Sequence, residues 1–356
     1  MKKMKCGSLF TGKLPKGCIY CEKGAKMVLL VTGLCKRKCF YCPLSEKKRY
    51  NDVIYANEKK IEKINASIIE EARLIDALGT GITGGDPMLV KNRTLAIINL
   101  LKKKFGKKHH IHLYTAALFK KNYIDELSQA GLDEIRFHPS LSSWKKIERT
   151  DYFELLKKSI ENIDTGIEIP AIPGYEKDAI HMIKEFDNIG GKFVNINELE
   201  YSETNYIELN RRGFTVKNDI SSGVKGSEET ALRIISSIGN VNLSIHYCSS
   251  SFKDRIQLRN RIMRRAKNVV KENELITKDG TILKGIILGE PEKLQSLYYN
   301  EKISAELIHY DGLKIDIAPW LAKKLGKKLR KKYGVKVFIT EVYPTADALE
   351  VERMEV

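Results

Sequence analysis

The chain has 356 residues, 42% of them apolar and 30% charged, with 25 glycines. This composition fits one large α/β unit with a modest second domain, and it excludes disorder, collagen and coiled coil as the main state. The formal charge is +17, from 62 Lys and Arg against 45 Asp and Glu, and residues 1–50 hold 13 cations against the acids Glu22 and Glu46, so 13 − 2 = +11. Such an excess favours a polyanionic partner. No apolar stretch approaches the roughly 20 residues of a membrane span. The N-terminal Met1-Lys2-Lys3-Met4-Lys5-Cys6 lacks a signal-peptide core, so the expected location is the cytoplasm, with no membrane partner. Seven cysteines are too few to staple a chain this long, and in a reducing compartment they point to metal ligation.

Residues 1–26 read as a cysteine-bearing leader. Apolar runs of strand length then alternate with amphipathic stretches through residue 250, the pattern of βα units in a parallel sheet or barrel. Strands are expected at Met27–Val31, Gly79–Thr83, His110–Thr115, Glu134–His138, Gly166–Ile172, Phe193–Asn197 and Asn242–Tyr247. Helical periodicity runs through Ile61, Ile64, Ile68, Ala72 and Ile75, through Leu95, Ile98 and Leu101, and over Glu228–Ser237. The expected fold is α/β, a partial (β/α)6-type TIM barrel. Residues 251–356 read as a small, basic α+β domain. In it a basic helix spans Ser251–Val270, strands lie at Ile282–Leu288, Ala305–Ile308, Val335–Thr340 and Leu349–Arg353, and a helix starts near Pro319. That helix carries Leu321, Leu325, Leu329 and Tyr333 on one face and Lys323, Lys324, Lys327, Lys328, Arg330, Lys331 and Lys332 on the others.

The strongest chemical signal is Cys35-Lys36-Arg37-Lys38-Cys39-Phe40-Tyr41-Cys42, three thiols on the loop after the first barrel strand. Three thiolates on one tight loop can hold three irons of a [4Fe–4S] cluster and leave the fourth open. A structural zinc site is the bland alternative, but it lacks a fourth ligand here. This segment resembles the radical S-adenosylmethionine (radical SAM) superfamily, whose motif is Cys-x3-Cys-x2-Cys with an aromatic residue, here Tyr41, before the last cysteine. Gly84-Gly85-Asp86-Pro87, after the second strand, resembles that family's Gly-Gly-Glu/Asp-Pro motif, whose backbone and carboxylate receive the amino group of SAM. A glycine pair permits close backbone approach, and a carboxylate suits an ammonium. The resemblance covers about residues 27 to 200. It implies a [4Fe–4S] cluster, SAM, a one-electron donor and reductive cleavage of SAM to a 5′-deoxyadenosyl radical.

Barrel enzymes line their sites from the C-terminal strand ends. That places Arg136 and His138, which share a strand face, as candidate cofactor-binding residues, with Glu168, Asn195, Asn197 and Glu198 beside them. The remaining cysteines are Cys6, Cys18, Cys21 and Cys248. Cys18-Ile19-Tyr20-Cys21 has the spacing of half a zinc or iron–sulfur site, four is the ligand count required, and His246 competes for the fourth place. Zinc and an auxiliary iron–sulfur cluster both suit tetrathiolate coordination.

Lys36, Arg37 and Lys38 either offset the charge of the cluster or meet phosphates. With two basic helices and a +11 leader, the sequence favours a radical SAM enzyme that modifies RNA, most plausibly tRNA. A second expectation is a protein or peptide substrate, as in activating enzymes similar to that of pyruvate formate-lyase. A third, from another class, is a non-catalytic, metal-stapled RNA-binding protein.

Overall fold

The structure is a computed structural model that describes residues 1–62 and 64–356. The chain forms two compact units, Met1–Arg73 with Ala77–Leu258, and Leu74–Asp76 with Arg259–Val356.

In the first unit seven strands run in parallel: β1 (Lys26–Leu30), β2 (Gly79–Thr83), β3 (His110–Thr115), β4 (Glu134–Phe137), β5 (Asp164–Ala171), β6 (Phe193–Glu198) and β7 (Ser244–Cys248). Each pairs with its predecessor, giving the sequential order of a barrel. The sheet stays open. The leader strand Leu9–Phe10 adds antiparallel to β7, and Tyr55–Ala56 adds antiparallel to β1. The seven expected strands lie within about two residues of their observed bounds. The leader packs as part of the barrel unit: Lys16–Glu22 is helical and contacts β1, β2 and β3.

Side-chain alternation along the strands explains both the stability and the site. Met27, Leu29, Ile82, Ile111, Leu113, Ile135, Phe137, Ile167, Ile169, Val194 and Ile196 are fully buried. Each such side chain contributes roughly 1.5–3 kcal/mol through burial. The opposite parity is polar. Lys26, His110, His112, Tyr114, Glu134, Arg136, Glu168, Asn195, Asn197 and His246 occupy it, and hydrogen bonds across strands and ring contacts along β3 join most of them. In the helix Lys91–Phe105 the buried stripe is Thr94, Ile97, Ile98 and Leu101, which moves the expected Leu95 to its edge.

The second unit is an antiparallel sheet in the order Ile308–Tyr310, Ile315–Ile317, Ile282–Leu288, Lys336–Val342, Glu350–Glu355, with the helices Pro291–Asn300 and Pro319–Tyr333 packed on it. The sequence reading missed the first of these helices and the hairpin at Asp311-Gly312, where Asp311 accepts from the N–H groups of Leu313 and Lys314 and Gly312 has φ 89°. The expected single helix over Ser251–Val270 is instead a helical turn at Ser250–Phe252, a π-helical stretch at Lys253–Leu258 and an α-helix at Arg259–Val269.

Candidate active site

The three thiols of the loop after β1 line one cavity of about 460 Å³, together with Gly84 and Gly85 after β2, Ala116 after β3, His138 after β4 and Glu168, Asn197 and Lys253. Cys35, Cys39 and Cys42 are free and partly exposed. Burial raises the Cys35 and Cys39 thiols above their ordinary range, so both stay protonated unless a metal replaces the proton. Several anchors fix the loop. Arg37 donates to Ala116 O at 3.0 Å, Asn205 to Tyr41 O at 3.2 Å and Thr204 to Cys42 O at 3.2 Å. Phe40 stacks on Phe214, and the Arg212 guanidinium lies over the Phe40 ring. Arg37 is therefore an anchor, a role the sequence reading did not foresee, and the clasp from residues 204–214 carries no motif that would have revealed it.

His138 is oriented from both sides. Its Nδ1 lies 2.7 Å from Glu168 O and its Nε2 2.8 Å from the Tyr41 hydroxyl. A carbonyl only accepts, so Nδ1 carries the proton and Tyr41 donates to Nε2. Burial lowers the imidazole's proton affinity, which keeps that ring neutral near pH 7. Tyr41 thereby ties the cysteine loop to the end of β4.

The glycine loop is built against the cysteine loop. Gly85 N–H donates to Thr32 O at 2.8 Å and Asp86 N–H to Leu34 O at 2.7 Å. A Cβ on Gly84 would lie 2.4 Å from Thr32 O, and one on Gly85 2.2 Å from Leu34 O. The glycines are thus demanded first by loop-to-loop packing. Asp86 is turned inward, where its carboxylate accepts from Met88 N–H at 3.0 Å, Thr115 Oγ1 at 3.0 Å and Ala116 N–H at 2.7 Å. It caps the turn at Pro87–Val90 and fixes the end of β3. Of the motif, Gly84 and Gly85 line the cavity, whereas Asp86 and the buried Pro87 support them.

Arg136 lies on the inward face of β4, 2% exposed, and pairs with Glu134 at 2.6 Å and with Glu168 at 2.8 Å. Asn195 and Asn197 donate to the two oxygens of Glu168 at 3.0 and 2.9 Å. Burial opposes ionisation of Glu168, but the Arg136 guanidinium and the two amides outweigh it and hold the carboxyl at about 2. Lys253 closes the wall through Glu200 at 2.8 Å. Glu198 lines the same cavity but is engaged by Lys217 and by Ser250 N–H.

These residues fit an iron–sulfur cluster with one open iron: three thiols face one cavity, and both nitrogens of His138 are already engaged. A relative in Methanocaldococcus jannaschii, named "Putative glycyl-radical enzyme activating enzyme", is 44% identical over 96% of this chain and 92% of its own length. A model of the radical SAM superfamily matches residues 29–186. The chain belongs to the radical SAM superfamily. Membership makes it an enzyme and implies a [4Fe–4S] cluster and SAM. A domain of unknown function, DUF8061, matches residues 280–356. Among solved structures, SuiB of Streptococcus suis bound to S-adenosylmethionine is 14% identical with a TM-score of 0.44, over 63% of this chain and 50% of that one. Methylornithine synthase (PylB) is 13% identical with a TM-score of 0.40, over 59% and 62%.

The other cysteines of this radical SAM enzyme are only partly brought together. Cys21 Sγ donates to Gln257 Oε1 at 2.9 Å, and Gln257 Nε2 donates to Cys248 Sγ at 3.5 Å. Cys18 Sγ lies 3.4 Å from Arg136 Nη2 and 3.3 Å from Asn195 Nδ2. Burial raises the Cys18 thiol to about 11. Cys6 approaches through its backbone, its carbonyl accepting from Ser249 Oγ at 2.6 Å.

Some of the cations expected to meet phosphates are engaged within the protein. Lys253 pairs with Glu200, Arg264 donates to Ile75 O and Asp76 O, and Arg265 donates to Pro344 O. On the helix Pro319–Tyr333, Lys328 and Lys332 both hold Glu301, and Arg330 holds Glu355. Among the described residues no helix is long and apolar enough to cross a membrane.

Proposed function

We propose that this radical SAM enzyme activates a partner polypeptide by abstracting a hydrogen atom from one of its glycines. The observation that carries this reading is the 44% identity, over nearly the whole of both chains, to a relative named for activation of glycyl-radical enzymes. Nothing found supports the RNA substrate expected from charge, and Lys253, Arg264, Arg265, Lys328 and Lys332 already have partners within the protein. A [4Fe–4S] cluster held by Cys35, Cys39 and Cys42 would supply the one-electron reduction of SAM, whose cleavage at a carbon–sulfur bond would give methionine and a deoxyadenosyl group able to take the hydrogen atom.

The chain's own residues have three tasks. Cys35, Cys39 and Cys42 would hold the cluster, and the Gly84–Gly85 backbone, which packs flush against the cysteine loop and lines the same cavity, would meet the methionyl end of SAM. Arg136, Glu168 and Asn197 form a rigid, fully bonded floor that offers charge and amide groups without rearrangement. Tyr41 and His138 keep the loop in register with β4.

The electron comes from a separate one-electron donor, and a reducing compartment such as the cytoplasm suits seven free cysteines. A second metal, zinc or iron–sulfur, at the leader cysteines and Cys248 belongs to the same reading. The test is to mix reduced enzyme and SAM anaerobically with a glycyl-radical polypeptide from the same source, and separately with its tRNA. A glycine-centred spin signal, one per deoxyadenosine released, is expected with the polypeptide. Deoxyadenosine release that depends on tRNA alone would overturn the assignment.

A further inference from the structure

Three cations stand between the first two cysteines of the loop after β1, and the structure separates them. Lys36 and Lys38 are exposed, whereas the Arg37 side chain lines the cavity with Cys35, Cys39 and Cys42. Its guanidinium donates to Ala116 O at 3.2 Å through Nε and at 3.0 Å through Nη2, and Nη2 also donates to the Tyr152 hydroxyl. Tyr152, buried on the helix Asp151–Ile160, donates to the same carbonyl, and the guanidinium lies over its ring at 5.4 Å. The Arg37 backbone N–H donates to Cys35 Sγ at 3.3 Å.

The partners of the Arg37 guanidinium are all neutral. Among the described residues it pairs with no carboxylate, unlike Arg136, which holds Glu134 and Glu168, and Lys253, which holds Glu200. A cation partly withdrawn from water and held only by a carbonyl and a phenol carries charge that an anion is needed to balance. The groups it faces belong to the cysteine loop: it acts on Cys39 and Tyr41 in the sense that favours negative charge there. Arg49, bonded to the exposed Tyr50, acts on Cys39 in the same sense, and Asp86 acts on Cys35 in the opposite one. Lys26 also lines the cavity without a carboxylate, but it starts β1 against Tyr114, and the thiols that act on it are Cys21 and Cys18.

We propose that Arg37 sets the reduction potential of the [4Fe–4S] cluster held by Cys35, Cys39 and Cys42, as its immobile counter-charge. This holds for any partner molecule and rests only on the cluster assigned above. A [4Fe–4S]²⁺ core with three thiolates has a formal charge of about −1, and one electron from the separate donor takes it to about −2 with no proton moved. A cation beside it stabilises the reduced state more than the oxidised state, and so raises the potential. Net charge and hydrogen bonds to the sulfurs set such potentials. Arg37 supplies one through its guanidinium and the other through its N–H on Cys35. Its effect is strong because the effective dielectric beside a protein interior is well below that of water. Lys36 and Lys38 project into solvent, where ions screen them.

The experiment is a redox titration of the full-length protein, reconstituted anaerobically without SAM and followed by the spin signal of the reduced cluster, with iron per chain measured in parallel. Arg37→Gln should make reduction about tenfold less favourable, a fall of about 59 mV for one electron. Arg37→Lys, which keeps the charge, should stay near the parent, as should Lys36→Gln combined with Lys38→Gln. Because Arg37 also anchors the loop, Tyr152→Glu supplies a second reading: it gives the guanidinium a carboxylate without removing it, and should lower the potential in the same sense. Arg37→Gln with full iron at the parent potential overturns the proposal. So does an Arg37→Gln protein that binds no iron while Tyr152→Glu titrates with the parent, or a shift in the Lys36 and Lys38 double variant as large as that in Arg37→Gln. A parent protein that takes up no iron at these cysteines overturns the cluster itself, a separate failure.

Discussion

Gly85→Ala is the substitution for which the structure gives the sharpest expectation. An added Cβ would lie 2.2 Å from Leu34 O and 2.4 Å from Gly33 O, both backbone atoms that cannot swing aside. Ordinary contact begins near 3.4 Å, so the two loops must part by 3.4 − 2.2 = 1.2 Å. Leu34 adjoins Cys35, and the bonds Gly85 N–H to Thr32 O and Asp86 N–H to Leu34 O are the ones that stretch. Misplacement by about 1 Å can cost on the order of 100-fold in rate. The sequence alone predicts that a side chain at Gly85 blocks SAM and spares the cluster. The structure predicts that both suffer: iron per chain falls, SAM affinity falls, and SAM cleavage drops about 100-fold or more. Iron analysis, SAM titration and deoxyadenosine assay on the anaerobically reconstituted variant decide it. Full iron with unchanged SAM affinity would refute the packing argument.

Tyr41→Phe removes the bond to His138 Nε2 at 2.8 Å, and one such bond contributes about 0.5–1.5 kcal/mol. SAM cleavage should therefore fall roughly 3- to 10-fold with iron content unchanged, and the loss should not add to that of His138→Ala in a double-mutant cycle. Glu168→Ala leaves Arg136 to Glu134 alone and deprives two amides of their acceptor inside the barrel, and should cost about 1–3 kcal/mol in urea denaturation. Since the Glu168 carboxyl is held at about 2 against an ordinary 4.5, its stabilisation is fully present above pH 4.5 and is lost as pH falls through about 2. Parent and Glu168→Gln should accordingly converge in stability at the acid end, and a constant gap across that range would contradict the pairing. Lys327→Glu with Lys331→Glu, which leaves Lys328 and Lys332 on Glu301, should weaken only salt-sensitive binding of polyanions in general and leave deoxyadenosine release with the polypeptide unchanged.

The barrel was legible because its outward strand faces are apolar and its strands are bounded by helical periodicity. Glu134-Ile135-Arg136-Phe137 and Val194-Asn195-Ile196-Asn197 each show the alternation that a sheet between helices and a polar lumen requires. Cys35, Cys39, Cys42 and the Gly84–Gly85 pair were legible because close spacing carries their chemistry. What stayed hidden depends on contacts distant in sequence. That Asp86 is consumed by Thr115 and Ala116, that Arg37 bonds to Ala116, and that residues 204 and 205 hold the cysteine loop follow only once β2 lies beside β3 and the segment after β6 has been brought to the loop after β1. The basic stretches misled for a related reason. A run of Lys and Arg does not show which carboxylate or carbonyl each will meet, and Glu301, 27 and 31 residues before Lys328 and Lys332, takes both. The Asp311-Gly312 turn was available as a hairpin signal and would have moved the expected strand from Ala305–Ile308 to its observed place at Ile308–Tyr310.

The central claim is that the thiols of Cys35, Cys39 and Cys42 carry radical SAM chemistry in the cavity they share with Gly84 and Gly85. It is tested most directly by quantifying deoxyadenosine and methionine from SAM after anaerobic reconstitution and reduction, in the parent and in the variant with all three cysteines changed to Ala. The account predicts equal amounts of both products from the parent and background levels from the variant. Undiminished SAM cleavage by the triple variant would contradict it.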